Sequence, residues 1–256
     1  MKFLIQKIDN QIRHDFAFTL LEAMRFRSWL SNVFNEDAVK YLNTKSDDTE
    51  FKFKPMHRKY IPIGSVEFVS AHLNHFYGLT PSPINVPKSL YPFAHREIFI
   101  GTNMDLECLK GKWFVKSMDK IKGLSKEVKN PNILSVPPGN ERYQISEYIS
   151  IDSEWRAFVY RGKLEGLQHY AGEFTMFPDV QTIKKMIEAY KDSPIAYTLD
   201  IGVKPIVEVD SSIFNETFVI EVHDFFSCGL YGFSDVSILP RMFYMWFNEY
   251  INKNKI

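Results

Sequence analysis

The chain has 256 residues, 45% hydrophobic and 15% aromatic, with thirty-one basic residues set against thirty-one acidic ones. That length fits one large domain or two to three small lobes around a cleft, with ample apolar material for a core. Balanced charge supplies no global field for nucleic acid or an anionic membrane, and the two distant cysteines, Cys108 and Cys228, suit a reducing interior better than a disulfide-built secreted fold.

The N-terminal run MKFLIQKIDN is broken by Gln6 and Lys7, too early for a signal-peptide core, and no stretch approaches the ~20 apolar residues that cross a bilayer. A cytoplasmic protein is expected. In chain order, MKFLIQ reads as a first strand. HDFAFTLLEAMRFRSWL reads as a helix, with Phe16, Leu20, Ala23 and Met24 at helical spacing and Asp15 near its start. NTKSDDTE is a polar loop, and KYIPIGSVEFVSAHLNHFYG is strand, Gly-Ser turn and helix, with Ser65 as cap. This alternation predicts a small α/β lobe over residues 1–90.

LTPSPINVPKSLYP holds four of the thirteen prolines and is the best linker candidate. Strand-like runs dominate beyond it: KWFVKS, YQISEYI, EWRAFVYRGKLEGLQHY, IAYTLDIGV and TFVIEVHDFF. A helix over residues 179–191 interrupts them, an amphipathic helix lies near RMFYMWFNEYI, and an Arg-Gly-Lys turn between Tyr160 and Leu164 joins two strands into a hairpin. The predicted class is α+β with an α/β N-terminal lobe.

Several residues could carry chemistry. Lys116 closes a short apolar strand and Lys122 follows in a basic, flexible-looking loop, a pattern that fits either phosphate contacts or ordinary solvated lysines. Glu154 and Arg156 share one strand face, where they either pair with each other or project into a cleft. Asp200 sits among apolar neighbours, and a buried carboxylate needs a partner, usually an ion or an arginine. In FVIEVHDFFSCGLYG, strand alternation puts Glu221 and His223 on one face. Asp200, Glu221 and His223 together would form an oxygen-rich site suited to Mg²⁺ carried by nucleotide phosphates rather than to structural zinc. Neither GxxxxGK[ST] nor GxGxxG is present, and a Cys228–His223 nucleophile pair is poorly supported by its spacing.

Read in order, IPIGSVEFV, FVKSMDKIKG, SEYISIDSEWRAFVYRGKL, AYTLDIGV and FVIEVHDFFSCGLYG resemble the ATP-grasp superfamily, in particular the clade named for one arginine and two lysines. The resemblance runs from about Ile61 to Gly232. It implies an N-terminal lobe over 1–90, a first ATP-grasp subdomain with the phosphate loop over 91–146, and a second with the metal site over 147–256. ATP would lie between two antiparallel-sheet subdomains, with Mg²⁺ or Mn²⁺ as its metal. Lys116 and Lys122 fall where the clade's lysines contact phosphates, and Glu147, Tyr148 and Ile149 where a linker pairs with adenine. Arg156 matches the clade's arginine, Glu154 is a cleft residue beside it, and Asp200 and Glu221 match acidic metal ligands.

The implied activity is ATP-dependent carboxylate–amine ligation through an acyl phosphate, on a small-molecule, amino-acid or peptide substrate, by a monomer or homodimer. The alternatives are a nucleotide-binding scaffold without catalysis and a small-molecule kinase. Three features depart from the clade. His223 stands where an asparagine is usual, which favours Mn²⁺ or a substitute ligand from Asp224. GLSK replaces an aromatic, threonine and glycine pattern after Lys122, and KPIVEVDSSIFNE lengthens the connection between the two metal strands.

Overall fold

A computed structural model of the chain describes residues 1–31, 36–129, 141–207 and 213–254. The first elements are β1 (Phe3–Ile8), α1 (Asp15–Ser31), β2 (Val39–Thr44), β3 (Ile61–Ile63) and α2 (Val66–Tyr77). Next come β4 (Ile98–Gly101), α3 (Asn103–Cys108), β5 (Trp113–Ser117), β6 (Ser125–Val128) and β7 (Tyr143–Glu147). The rest are β8 (Ser153–Tyr160), β9 (Lys163–Gly172), α4 (Val180–Ala189), β10 (Ala196–Val207), β11 (Ile213–Asp224) and α5 (Leu239–Asn254). KPIVEVDSSIFNE, expected to lengthen the connection between the two metal strands, is mostly strand: residues 204–207 finish β10 and 213–216 begin β11, while 208–212 lie outside the described residues.

The chain divides into two compact units: Met1–Pro81, Ser193–Tyr197 and Asp224–Ile256 form the first, Ser82–Asp192 and Thr198–His223 the second. The first unit contains a parallel sheet of order β2-β1-β3 with α1, α2 and α5. Buried Gln6 ties its strands together: its amide nitrogen donates to Thr44 Oγ1 (3.1 Å) and its carbonyl oxygen accepts from Ser65 N (2.8 Å). Ser65 caps α2 by accepting from Phe68 N, as expected, and the helix closes at Gly78 in the left-handed region (φ 69°). Of the expected polar loop, Asn43 and Thr44 instead finish β2, where parallel pairing with β1 overrides their loop character.

The second unit holds two four-stranded antiparallel sheets, β11-β10-β8-β9 and β4-β7-β5-β6. An α+β architecture results, in line with the sequence. Alternation decides which face of the second sheet packs: Val115, Tyr143 and Ile145 join Leu106 and Val128 in a core, while Phe114, Lys116, Gln144 and Ser146 occupy the other face in register. Arg161 and Gly162, both at positive φ (51° and 69°), turn the β8–β9 hairpin tightly. The proline-rich stretch is no slack tether from Asn85 onward. Asn85 Nδ2 donates to the Ser117 carbonyl at 3.0 Å, and Gln144 clamps Val86 by bonding both its amide and its carbonyl (2.9 and 2.8 Å). Among the described residues, no helix is long and apolar enough to cross a membrane.

Candidate functional site

A cavity of about 440 Å³ opens within the second unit, within the usual range for small-molecule sites. Both sheets line it. β5 contributes Phe114 and Lys116, β7 contributes Gln144 and Ser146, and β11 contributes Ile220 and Glu221. The stretch Glu147–Ile149 and Ile151 add backbone and apolar surface. Charged groups and apolar walls therefore face the same space, as a ligand with a flat apolar part and an anionic part requires.

The charged groups form a chain of alternating sign. Lys116 Nζ donates to Glu221 Oε2. Glu221 Oε1 lies 3.1 Å from His223 Nε2, which lies 3.6 Å from Asp200 Oδ2. Asp200 in turn receives two 2.7 Å bonds from Arg156, through Nε and Nη2. Burial alone would raise the Glu221 carboxyl, but the His223 hydrogen bond and the charges of His223 and Lys116 overcome it and hold the group far below the usual carboxylate range. His223 answers in the opposite sense: burial lowers it, yet its bonds to Asp200 and Glu221 push it up to about 9. An oxygen or nitrogen from each of Asp200, Glu221 and His223 falls within 4.8 Å of the others, a spacing that could hold a metal ion. Asp224 stands outside this cluster, its carboxylate accepting from Trp246 Nε1 at 2.8 Å.

The expected flexible loop at Lys122 is a hydrogen-bonded turn. Ser117 N donates to the Leu124 carbonyl (2.7 Å), Gly123 N donates to the Lys120 carbonyl (3.0 Å), and β6 pairs directly with β5. A Cβ at Gly123 would lie 2.7 Å from Ser117 Cβ, so the turn closes only on glycine. Lys122 is exposed there at φ 59° and is not among the residues lining the cavity.

Glu154 and Arg156 do share a strand, and their hydrogen bonds run to Tyr170 and to Asp200 respectively. Glu154 accepts from Tyr170 Oη at 2.7 Å, and the Tyr170 ring lies under the Arg156 guanidinium at 5.7 Å. Tyr170 is the extra residue of a bulge: Glu154 pairs with Ala171 and Trp155 with His169, which re-aims its side chain into the cavity. Sequence reasoning missed Tyr170, because a bulge leaves no mark on residue alternation. It also missed Arg96, whose guanidinium donates to the carbonyls of Val219 (2.8 Å) and Ile220 (3.0 Å) just before Glu221. Gln144 and Ser146 were also missed, although the alternation of polar and apolar residues along YQISEYI puts both on its polar face.

In the linker, the amides of Glu147 and Tyr148 are already engaged by the carbonyls of Glu97 (3.0 Å) and Lys112 (3.3 Å).

Two antiparallel sheets around one mixed cavity, beside a metal-capable acidic cluster, define a ligase-like fold of the nucleotide-grasping kind. The chain belongs to the ATP-grasp domain, R2K clade family 2, whose model matches residues 93–240, more than half of its length. Its fold is similar to that of D-alanine–D-alanine ligase from Bacillus anthracis, at 11% identity over 99% of each chain with a TM-score of 0.50. The ATP-grasp ligase PsnB, complexed with a minimal precursor, is 10% identical, with 97% of this chain and 100% of that chain covered and a TM-score of 0.48. A RimK domain ATP-grasp protein from Sphaerobacter thermophilus is 11% identical, with 97% and 99% covered and a TM-score of 0.48. No curated protein matches the chain in sequence.

Proposed function

We propose that the chain is an ATP- and Mg²⁺-dependent ligase joining the carboxylate of an amino acid, peptide or similar small molecule to an amine. The observation that carries this reading is the cavity in which Lys116 and Glu221 meet beside Asp200 and His223. ATP fits the lining: Phe114, Ile149 and Ile151 offer apolar surface for a base, and the Ile149 amide and the linker carbonyls offer polar groups for its edge. Glu154, held by Tyr170, would accept from a ribose hydroxyl.

Lys116 would exchange Glu221 for a phosphate, since a lysine serves as a mobile point charge. Asp200 and Glu221 supply hard oxygens for Mg²⁺; the His223 nitrogen is a poorer ligand and fits Mn²⁺ better. A divalent cation held there would offset the charge on the phosphates during phosphoryl transfer. Arg156, committed to Asp200 by two bonds, keeps that carboxylate ionised and aimed. A phosphate contact from Lys122 requires its turn to move. In this reading a substrate carboxylate takes the terminal phosphoryl group of ATP, releasing ADP. The amine then attacks the acyl carbon, and phosphate leaves.

A second reading, nucleotide binding without turnover, is supported by His223 standing as a built-in cation between the two acids. Hydroxylamine separates the readings, because it captures acyl phosphates as hydroxamates. Incubation with ATP, Mg²⁺, hydroxylamine and pooled amino acids and dipeptides is expected to yield ADP and hydroxamate together, and Lys116→Ala to abolish both. ADP without hydroxamate would point to a kinase. Nucleotide binding without ADP from any pool would favour the scaffold.

A further inference from the structure

A second cavity, of about 200 Å³, lies wholly within the first unit and has no part in the reading above. Lys2, just before β1, and Arg58 and Lys59, just before β3, line it, so it sits at the amino-terminal ends of these parallel strands. Open α/β sheets place their reaction substrates at the carboxyl ends. Position alone therefore sets it apart from a substrate site of that kind.

The lining combines three cations with no carboxylate. Among the described residues, none of Lys2, Arg58 and Lys59 takes part in an ion pair. Like charges gathered at one concavity repel, and an anion relieves that repulsion. Two of the cations are held in place by aromatic rings: the Arg58 guanidinium packs over Tyr77 at 5.4 Å, and Lys2 Nζ lies 5.7 Å from the Tyr60 ring. The Tyr77 hydroxyl donates to the Arg58 carbonyl at 2.9 Å and fixes the stack from its other end.

The walls are apolar and firm. Ile61, Phe247 and Ile251 are each only 5% exposed, although they line the cavity. Asn248 and Asn252, one turn apart on α5, add amide groups at the same opening. The volume falls below the ~300 Å³ at which sites for drug-sized molecules begin, and leaves room for a group about as large as one amino-acid residue.

We propose that this cavity is a binding site for an apolar carboxylate of that size, with its anionic end on the Arg58–Lys59–Lys2 cluster and its hydrocarbon body against Phe247 and Ile251. The same chemistry is offered by a free branched-chain acid and by the C-terminal residue of a peptide.

The test is ¹H–¹⁵N correlation NMR of the full chain without nucleotide. The titrants are 4-methylpentanoate, acetyl-Gly-Gly-Leu, the same peptide with an amidated C-terminus, and inorganic phosphate. Saturable shifts at Tyr77, Asn248 and Ile251 are expected with both acids, weakening as salt is added. Affinity should fall about tenfold or more in Arg58→Ala, whose residue is exposed and whose spectrum elsewhere should match the wild type. Lys59→Ala serves as an independent second variant. Tighter binding of the peptide acid would assign the site to a chain terminus; equal or tighter binding of the free acid would assign it to a small molecule. The proposal is overturned if no saturable shift occurs, if the amidated peptide or phosphate binds as tightly as the acids, or if both variants bind like the wild type. None of these outcomes bears on the ligase reading, since the nucleotide cavity lies in the other unit.

Discussion

Arg156 and Asp200 meet through two 2.7 Å bonds with residue exposures of 7% and 1%, so each charge depends on the other for its solvation. Burial opposes ionisation of Asp200, and the Arg156 hydrogen bond, helped by His223, reverses that and lowers its carboxyl below the ordinary value. Removing Arg156 leaves Asp200 dependent on the more distant His223, at 3.6 Å, in a low-dielectric interior. Arg156→Ala is therefore expected to cost about 3–5 kcal/mol in urea-unfolding free energy, whereas Arg156→Met with Asp200→Leu should cost much less. Equal losses in the single and double variants would show that the site depends on packing rather than on the charge pair. Sequence placed each residue on a strand of its own but left the partner of Asp200 open between an arginine and an ion. Forty-four residues separate the pair, and no local pattern encodes a meeting at that range.

At the scale of elements, α2 carries a buried residue whose protonation state matters. His72 is fully buried among aromatic rings, with Phe53 at 5.3 Å, Phe76 at 4.8 Å and Phe247 at 6.0 Å, and its Nε2 lies 3.1 Å from the His57 carbonyl. Burial lowers its pKa to about 4, against the smaller opposing effect of that hydrogen bond. The ring folds neutral, whereas the unfolded chain takes up its proton near pH 6.5. Its contribution to stability is thus fully present above about pH 6.5 and is lost as pH falls toward about 4, by at most ~1.4 kcal/mol per pH unit. Below that the loss levels off. Unfolding free energy measured across this range should show the slope in wild type and a shallower one in His72→Phe; an unchanged slope would remove His72 as its source. The helix itself was legible from spacing and from its Ser65 cap. The hairpin turn at Lys122 was not, because its closure depends on a glycine meeting the Ser117 side chain rather than on composition.

At the scale of the molecule, a balanced charge count conceals two local fields: an alternating chain of charges in the nucleotide-sized cavity and an unopposed basic cluster in the first unit. The β-α alternation of the first unit and the strand-rich texture of the second were readable from periodicity, since burial of one face is written into every second or fourth residue. Short strands such as β4 and β6 were not, because four residues carry too little pattern and owe their pairing to neighbours elsewhere in the sheet. The site stood between these cases. Lys116 and Glu221 are 105 residues apart, and it was the order of several loose motifs, not either residue's surroundings, that placed both at one site.

The central claim is that this cavity holds ATP through Lys116 and a metal bound by Glu221. Calorimetric titration of wild type and Glu221→Ala with a non-hydrolysable ATP analogue, with and without Mg²⁺ or Mn²⁺, tests it directly. Wild type should bind the analogue more tightly with metal, and the variant should lose that metal-dependent gain, weakening about tenfold or more with metal present. Metal-free binding should survive in the variant, because Lys116 is then released from its carboxylate. Binding that gains equally from metal in both proteins, or no nucleotide binding under any metal, would contradict the claim.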